Sequence, residues 1–134
     1  MIAAIDEIPR AAEACDPALD WRPVRDHLGI GAFGVNAFLG SQPGDLVVER
    51  HDESDLGHEE LYVVVRGAAR FEIDGERHEV PAGSVVLVAP GQLREAHAAQ
   101  ADTLVLVVGA VAGQPFDVSP WESRQLALSH RDAS

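Results

Sequence analysis

From Gly31 onward the chain alternates apolar and polar residues in short segments. These segments are rich in β-branched and aromatic residues and are separated by Gly, Pro and Asp, which is the pattern of short β-strands. The predicted strands cover residues 31–39, 44–50, 60–66, 69–73, 77–80, 84–89, 94–98 and 103–108. Eight strands within roughly eighty residues predict an all-β fold, either a barrel or a jelly roll.

One hairpin can be paired from the sequence, because Asp74-Gly75 is a typical two-residue turn. The pairs that this turn predicts are Ile73 with Glu76, Glu72 with Arg77, Phe71 with His78, and Arg70 with Glu79. Two opposite-charge pairs then lie on one face, and a slip of one residue would break both of them. His78 is placed beside Phe71 on the apolar face, where we expect a packed core histidine rather than a ligand.

Residues 1–30 are predicted to form an N-terminal arm and residues 31–112 the barrel. The arm has helical composition as far as Cys15, interrupted by Pro9, so only short helical or extended pieces are expected. It should pack on the outside of the barrel. The expected anchors are Trp21, Val24 and Leu28.

Residues 113–134 are predicted to form a C-terminal arm with one short helix. Ser119 can cap this helix, and Glu122 three residues later completes a capping box. The helix should end near Leu128 and dock through Trp121, Leu126 and Leu128, with no chemical role.

The segment 61–65 is apolar on both faces of its strand. Such a strand needs the barrel interior on one side and a covering element on the other. A small barrel also exposes a wide apolar sheet face unless arms or a partner cover it. We therefore expect a homodimer.

Composition narrows the classes of function. The net charge is −12 and the basic residues are scattered singly, so nucleic acid is not expected as a partner. All ten basic residues are arginines, which excludes Schiff-base chemistry on a lysine. The longest apolar run, residues 103–113, is too short to span a membrane. With a lone Cys15 and no signal sequence, a cytoplasmic location is expected.

Two glycine-bounded motifs resemble those of the cupin family. Glu60 is followed after six residues by Gly67, as at the end of the first cupin motif, and Gly83 and Gly91 fit the second. This resemblance implies a cupin-type double-stranded β-helix, or jelly-roll barrel, with short helical arms at both ends. The histidine pair of metal-binding cupins is absent from the expected positions 53–56, and Arg94 stands where the second motif has its histidine.

The loop after the second predicted strand carries the candidate metal ligands. Imidazoles and carboxylates are common ligands of divalent transition metals, and His51, His58 and Glu60 offer such a set. His58 and Glu60 are two residues apart, so in a strand both point to the same face, which should be the lumen. One zinc, nickel or iron(II) ion would suit these donors.

Arg94 leaves two functions open, because a guanidinium cannot bind a metal and because the resemblance to the second cupin motif implies that this side chain points into the lumen near Glu60. In the first, Arg94 pairs with Glu60 or Glu53, and a metal-free lumen binds a small polar or anionic molecule near Arg94, Glu60 and His58. In the second, His51, His58 and Glu60 hold a metal for an oxygenase, isomerase or cyclase, and Arg94 binds the substrate. A purely structural ion pair is the third interpretation.

Three further residues are candidate ligand contacts. Tyr62 shares the face of Glu60 and can present its hydroxyl, and Glu53 lies in the same loop. Asn36 is an amide inside a strand, so it either fixes the strand or contacts the ligand. His97 is out of phase with Arg94 and should face outward. His27 and His130 lie in the arms without a second donor at ligand spacing.

Overall fold

The computed structural model describes residues 1–11 and 16–133, with side chains as far as Leu128 in the last helix. The strands in these residues are β1 (Asp20–Arg22), β2 (Gly34–Gly40), β3 (Leu46–His51), β4 (His58–Arg66), β5 (Ala68–Ile73), β6 (Glu76–Pro81), β7 (Val85–Val88), β8 (Arg94–Ala98) and β9 (Thr103–Val111). A 3₁₀ turn at Ile5–Glu7 and helices α1 (Val24–Leu28) and α2 (Pro120–Ala133) complete the described elements.

The strands form two antiparallel sheets, with the orders β1-β2-β9-β4-β7 and β3-β8-β5-β6. Their inner faces share one apolar core that includes Val64, Phe71, Val88 and Val105, all fully buried. This arrangement confirms the predicted all-β cupin fold with short helical arms. The eight predicted strands are all present, and β8 has the predicted bounds. β1 was not predicted, because three residues are too few to show a period.

The predicted hairpin register is correct at all four pairs between β5 and β6. The Arg70 guanidinium donates to the Glu79 carboxylate at 2.7 Å on the exposed face. The expectation for His78 is wrong, because its side chain is 47% exposed. β6 is the edge strand of its sheet, so no neighbouring strand covers His78 even though it pairs with buried Phe71.

The N-terminal arm covers the outer face of β2 and β9. Val24 of α1 is buried there with Ile8, and Leu28 packs against the same cluster, as predicted. Trp21 differs from the prediction, because it lies in β1 and packs against Phe38 and α2 rather than on the outside. Cys15 lies outside the described residues.

The outer face of β4 and β7 is apolar and uncovered in the single chain. Leu61 and Val65 of β4 are 37% and 46% exposed, and Val85 and Leu87 of β7 are 62% and 64% exposed. The described part of the arm packs against β2 and β9 instead. The homodimer stays a prediction, and this face is where a second copy would bind.

α2 begins as predicted but continues beyond Leu128 to Ala133. The Ser119 hydroxyl oxygen accepts a hydrogen bond from the backbone N–H of Glu122 at 3.1 Å. Leu126 docks beside Trp121, whereas Leu128 is 43% exposed, so its predicted docking is wrong. No described helix is long and apolar enough to cross a membrane.

Candidate functional site

A cavity of about 420 Å³ opens at one end of the barrel. Its wall is formed by residues of β2, β3, β4 and β9, by the loop that joins β3 to β4, and by the start of α2 with the segment before it. The polar side chains of the wall are Asn36, Glu49, His51, Asp52, Glu53, Asp55, His58, Glu60, Ser119, Glu122 and Arg124, together with the Tyr62 hydroxyl. Acidic groups therefore dominate the polar part of the wall.

The β3–β4 loop is fixed by hydrogen bonds that direct Glu53 into the cavity. Asp52 Oδ1 accepts hydrogen bonds from the backbone N–H and the hydroxyl of Ser54, at 3.1 and 2.7 Å. The Glu53 N–H donates to the Pro90 carbonyl at 2.8 Å, and the Glu53 carbonyl accepts from Gly57 N–H at 2.7 Å. Glu53 is thus held by backbone contacts on both sides.

His51 has an acceptor at each ring nitrogen. Its Nδ1 lies 2.6 Å from the Glu49 carbonyl oxygen. Its Nε2 lies 3.2 Å from Glu53 Oε1 and 3.6 Å from Glu60 Oε1. Because carbonyl and carboxylate oxygens only accept, these neighbours favour a proton on both ring nitrogens and therefore the imidazolium form of His51.

Electrostatics agree with this protonation state. Burial is the largest single effect on His51 and lowers its pKa, but the hydrogen bonds to Glu53, Glu60 and the Glu49 carbonyl together raise it to about 10. The folded pKa is above the ordinary value of 6.5. Protonated His51 therefore stabilises the folded state. This contribution is fully present below pH 6.5 and is lost as the pH rises through about 10.

Glu60 is the centre of the polar cluster. Its Oε1 accepts a hydrogen bond from the Tyr62 hydroxyl at 2.8 Å and lies 3.1 Å from Arg94 Nη2. Burial raises the pKa of Glu60, but hydrogen bonds from His51 and Tyr62 and the charge of Arg94 outweigh it and hold that pKa below its usual range. Burial and the Glu60 charge raise the pKa of Tyr62, which therefore remains a hydrogen-bond donor.

Arg94 lies one layer behind the cavity wall. It is opposite His51 in the β3–β8 pairing, points inward and has no exposed surface. Its Nη1 donates to the Gln92 carbonyl at 2.7 Å, whereas Nε and Nη2 have no partner in hydrogen-bond geometry. Glu60 and Tyr62 are among the residues that line the cavity, whereas Arg94 is not. Arg94 therefore acts on the cavity indirectly, through its contact with Glu60.

The structure brings His51, Glu53 and Glu60 closest together. In the described part of the chain, these three form a group whose potential metal-ligand atoms all lie within 4.8 Å of one another. His58 lines the cavity beside them, with Nδ1 3.6 Å from Glu53 Oε2, but it is not a member of that group. The sequence predicted Glu53 as a ligand contact and His58 as a metal ligand together with His51. In the structure Glu53, rather than His58, belongs to the group that contains His51.

Asn36 fixes a strand, which is one of the two roles that the sequence left open, and its contact with a ligand stays a prediction. Its Oδ1 accepts a hydrogen bond from Trp21 Nε1 at 2.9 Å, which ties β1 to β2. It also lines the cavity. His97 is 40% exposed on the opposite face of β8 from Arg94, as expected.

The sequence did not assign the C-terminal arm to the site. Phe116, Trp121, Glu122 and Arg124 all line the cavity. Glu122 is only 4% exposed, and instead of closing a capping box its Oε2 accepts from Arg25 Nε at 3.1 Å. Burial is the largest effect on Glu122 and raises its pKa despite Arg25. A glutamate three residues after a serine gave no signal of this role, because the same spacing is typical of a cap.

Comparison with protein families gives one match. The model described as the AraC-like ligand binding domain matches residues 40–130. These residues include β3 to β9 and most of α2, and therefore most of the cavity wall. A comparison with curated proteins found no match.

Solved structures with the same fold are cupins of low sequence identity. A sugar phosphate isomerase from a cupin superfamily, of the organism Silicibacter pomeroyi, is 22% identical to this chain, with a TM-score of 0.65. The match covers 81% of this chain and 74% of that one. A predicted oxalate decarboxylase from Thermotoga maritima is 18% identical with a TM-score of 0.64, covering 83% and 99%. KdgF from Halomonas sp. is 18% identical with a TM-score of 0.56, covering 70% and 79%. These similarities confirm the cupin fold.

Proposed function

The chain belongs to the family of AraC-like ligand binding domains, and on that premise we propose that it binds a small polar molecule in its cavity without a metal ion. The ligand contacts in this proposal are Glu53, Glu60 and His58, with Tyr62 and Asn36 on the adjoining wall. Arg94 serves as a positioning residue that holds Glu60. Binding of this kind suits sensing or sequestration of the ligand.

One observation carries the proposal, which is the charge balance of the cluster. Glu53 and Glu60 supply two negative charges, the Arg94 guanidinium supplies one positive charge, and His51 supplies a second in the imidazolium form that its acceptors favour. In a metal-binding site a divalent cation would balance two such carboxylates. Here two fixed side chains of this protein do so, which leaves a polar, pre-organised wall for an organic ligand.

The shape and chemistry of the cavity also fit a small organic molecule. A volume of about 420 Å³ is within the range of small-molecule pockets. Trp121 and Phe116 offer apolar rings, and the carboxylate oxygens that remain accept hydrogen bonds. Ligand hydroxyl or amine groups would therefore be recognised by the acids and its carbon skeleton by the rings.

A panel of small hydroxylated, amine-bearing and carboxylated molecules, added at millimolar concentration, tests this proposal by thermal denaturation. We expect at least one member to raise the melting temperature, because a ligand that binds only the folded state stabilises it. Glu53→Gln should weaken that ligand by roughly tenfold or more, since a charge-assisted hydrogen bond is lost. The exposed Glu79→Gln is the matched control and should bind as the wild type does. Equal affinity in Glu53→Gln and the control would contradict the proposal.

A metal-dependent cupin enzyme is the second candidate function, favoured by the short distances within the group of His51, Glu53 and Glu60. One imidazole and two carboxylates suit zinc, nickel or iron(II), and His58 could join them. A bound ion would supply Lewis-acid chemistry to an oxygenase, isomerase or cyclase. The donor types therefore fit an ion, which would have to displace the proton that Glu53 and Glu60 favour on His51 Nε2 before this nitrogen could bind it.

A further inference from the structure

Glu122 has a buried oxygen that the protein leaves without a partner. The residue is 4% exposed and lines the cavity. Its Oε2 accepts from Arg25 Nε at 3.1 Å, but Oε1 has no partner in hydrogen-bond geometry. Most buried polar atoms in native proteins have a partner, and a buried carboxylate oxygen without one lowers stability. An atom of this kind in a cavity wall marks a position for a donor group of a ligand.

A hydrogen-bond contribution from the Asn36 side chain lowers the pKa of Glu122, but Glu122 Oε1 has no partner in hydrogen-bond geometry. The influence of Asn36 on Glu122 is the smallest of those that act on the residue, after burial and the charges of Arg25 and Asp26. Its Oδ1 already accepts from Trp21. The contribution of Asn36 is therefore too weak to count as a full hydrogen bond to Glu122 Oε1.

The surroundings of Glu122 favour a cation over a neutral or anionic group. Acidic side chains line the cavity at positions 49, 52, 53, 55, 60 and 122, whereas Arg124 is the arginine in the described wall. The other nearby cations, Arg25, His51 and Arg94, are engaged with carboxylates. With a net charge of −12, the whole protein also attracts cations and repels anions.

Aromatic rings line the same cavity as Glu122. Trp121 precedes it in α2 and is held against Trp21, with ring centroids 5.0 Å apart. Phe116 and Phe38 line the cavity as well. The face of an aromatic ring attracts an ammonium group, most strongly for tryptophan. An unpartnered carboxylate oxygen in a cavity lined by such rings is a combination that suits a protonated amine.

We propose that the cavity is selective for a small molecule with a protonated amine, which donates to Glu122 Oε1 beside Trp121. This inference rests on the proposed ligand-binding function and narrows its ligand to one chemical class. In this proposal α2 determines which ligand the site selects, and the cluster of His51, Glu53 and Glu60 contacts another part of that ligand.

Three probes of equal size and different charge test the inference: 2-phenylethylamine, 2-phenylethanol and phenylacetate. Binding is followed by tryptophan fluorescence, because Trp121 lines the cavity and the chain has only two tryptophans. In the wild type the amine should bind roughly tenfold or more tightly than the alcohol or the acid, because it forms a charge-assisted hydrogen bond. Glu122→Gln should remove this preference. Glu76→Gln, which removes the same charge from an exposed position, should keep it.

Every result of this test either supports or overturns the inferred selectivity for a protonated amine. Equal binding of the amine and the alcohol to the wild type, tighter binding of the acid, or no binding of the amine at millimolar concentration overturns the inference. These comparisons use the wild type alone, so they hold even if Glu122→Gln fails to fold. A preference for the amine that survives in folded Glu122→Gln also overturns it. If the amine shows no preference while other molecules still stabilise the protein through Glu53, only this inference fails and the proposed function stands.

Discussion

Replacing Glu60 with glutamine is expected to lower the free energy of unfolding by about 3–5 kcal/mol. Arg94 has no exposed surface, and Glu60 is the carboxylate at 3.1 Å from its guanidinium. Glutamine keeps the shape and can still accept from the Tyr62 hydroxyl, so the variant removes the charge with little change in packing. A buried charge without its partner is among the most destabilising changes in a protein core. Urea denaturation monitored by circular dichroism measures the loss.

The double variant Glu60→Gln/Arg94→Met separates the loss of charge from other causes. Methionine removes the unpaired cation and fills most of its volume, so stability should recover by about 2 kcal/mol or more relative to Glu60→Gln. Arg94→Met alone is the control, and it should cost less than Glu60→Gln because His51 and Tyr62 still contact Glu60. If the double variant is no more stable than Glu60→Gln, then Arg94 does not depend on Glu60, and the described charge pairing is wrong.

Gly67→Ala is expected to destabilise the protein by at least about 3 kcal/mol. Gly67 has a φ of 71°, which a residue with a side chain adopts only with strain. An added Cβ would lie 2.4 Å from Thr103 Oγ1 and 2.8 Å from Thr103 Cα. Thr103 is fully buried, and its hydroxyl contacts the backbone at Ala68 and Gln100, so it has no room to move.

Gly83→Ala is the matched control for this steric conflict. Gly83 has a similar φ of 86°, but an added Cβ would have nothing within 4 Å. Only the backbone strain remains, and we expect a loss of about 1 kcal/mol. Thermal or urea denaturation of both variants gives the comparison. Equal losses in the two would mean that Thr103 does not restrict position 67, and the close approach of β4 and β9 at this turn would be incorrect.

The strands and the hairpin were predictable because their signals are local. An alternation of period two identifies a strand from its own residues, and Asp74-Gly75 fixes the register of its neighbours. The inward direction of Arg94 was implied by its position in the second cupin motif, and its burial agrees. The alternation does not predict how far a side chain lies from the cavity, since a residue on the inner face can lie at the cavity wall or behind it. Arg94 lies behind it because Glu60 and Tyr62 come from the opposite sheet.

The rest of the site depends on contacts between distant residues. Glu53 is directed by a hydrogen bond to Pro90, and Glu122 by a contact with Arg25, 97 residues away in the sequence. Neither partner could be identified from spacing along one chain. The conformation of the β3–β4 loop therefore brings Glu53, and not His58, into the group with His51 and Glu60.

The protonation state of His51 tests the central claim most directly, because the claim is that fixed side-chain cations balance Glu53 and Glu60. The measurement is the ¹⁵N chemical shift of the His51 ring during a pH titration of protein purified without chelator. Since its folded pKa is about 10, both nitrogens should be protonated at pH 8 and the ring should titrate well above the ordinary value of 6.5. A neutral ring at pH 8, or an Nε2 bound to a metal ion, would contradict the claim.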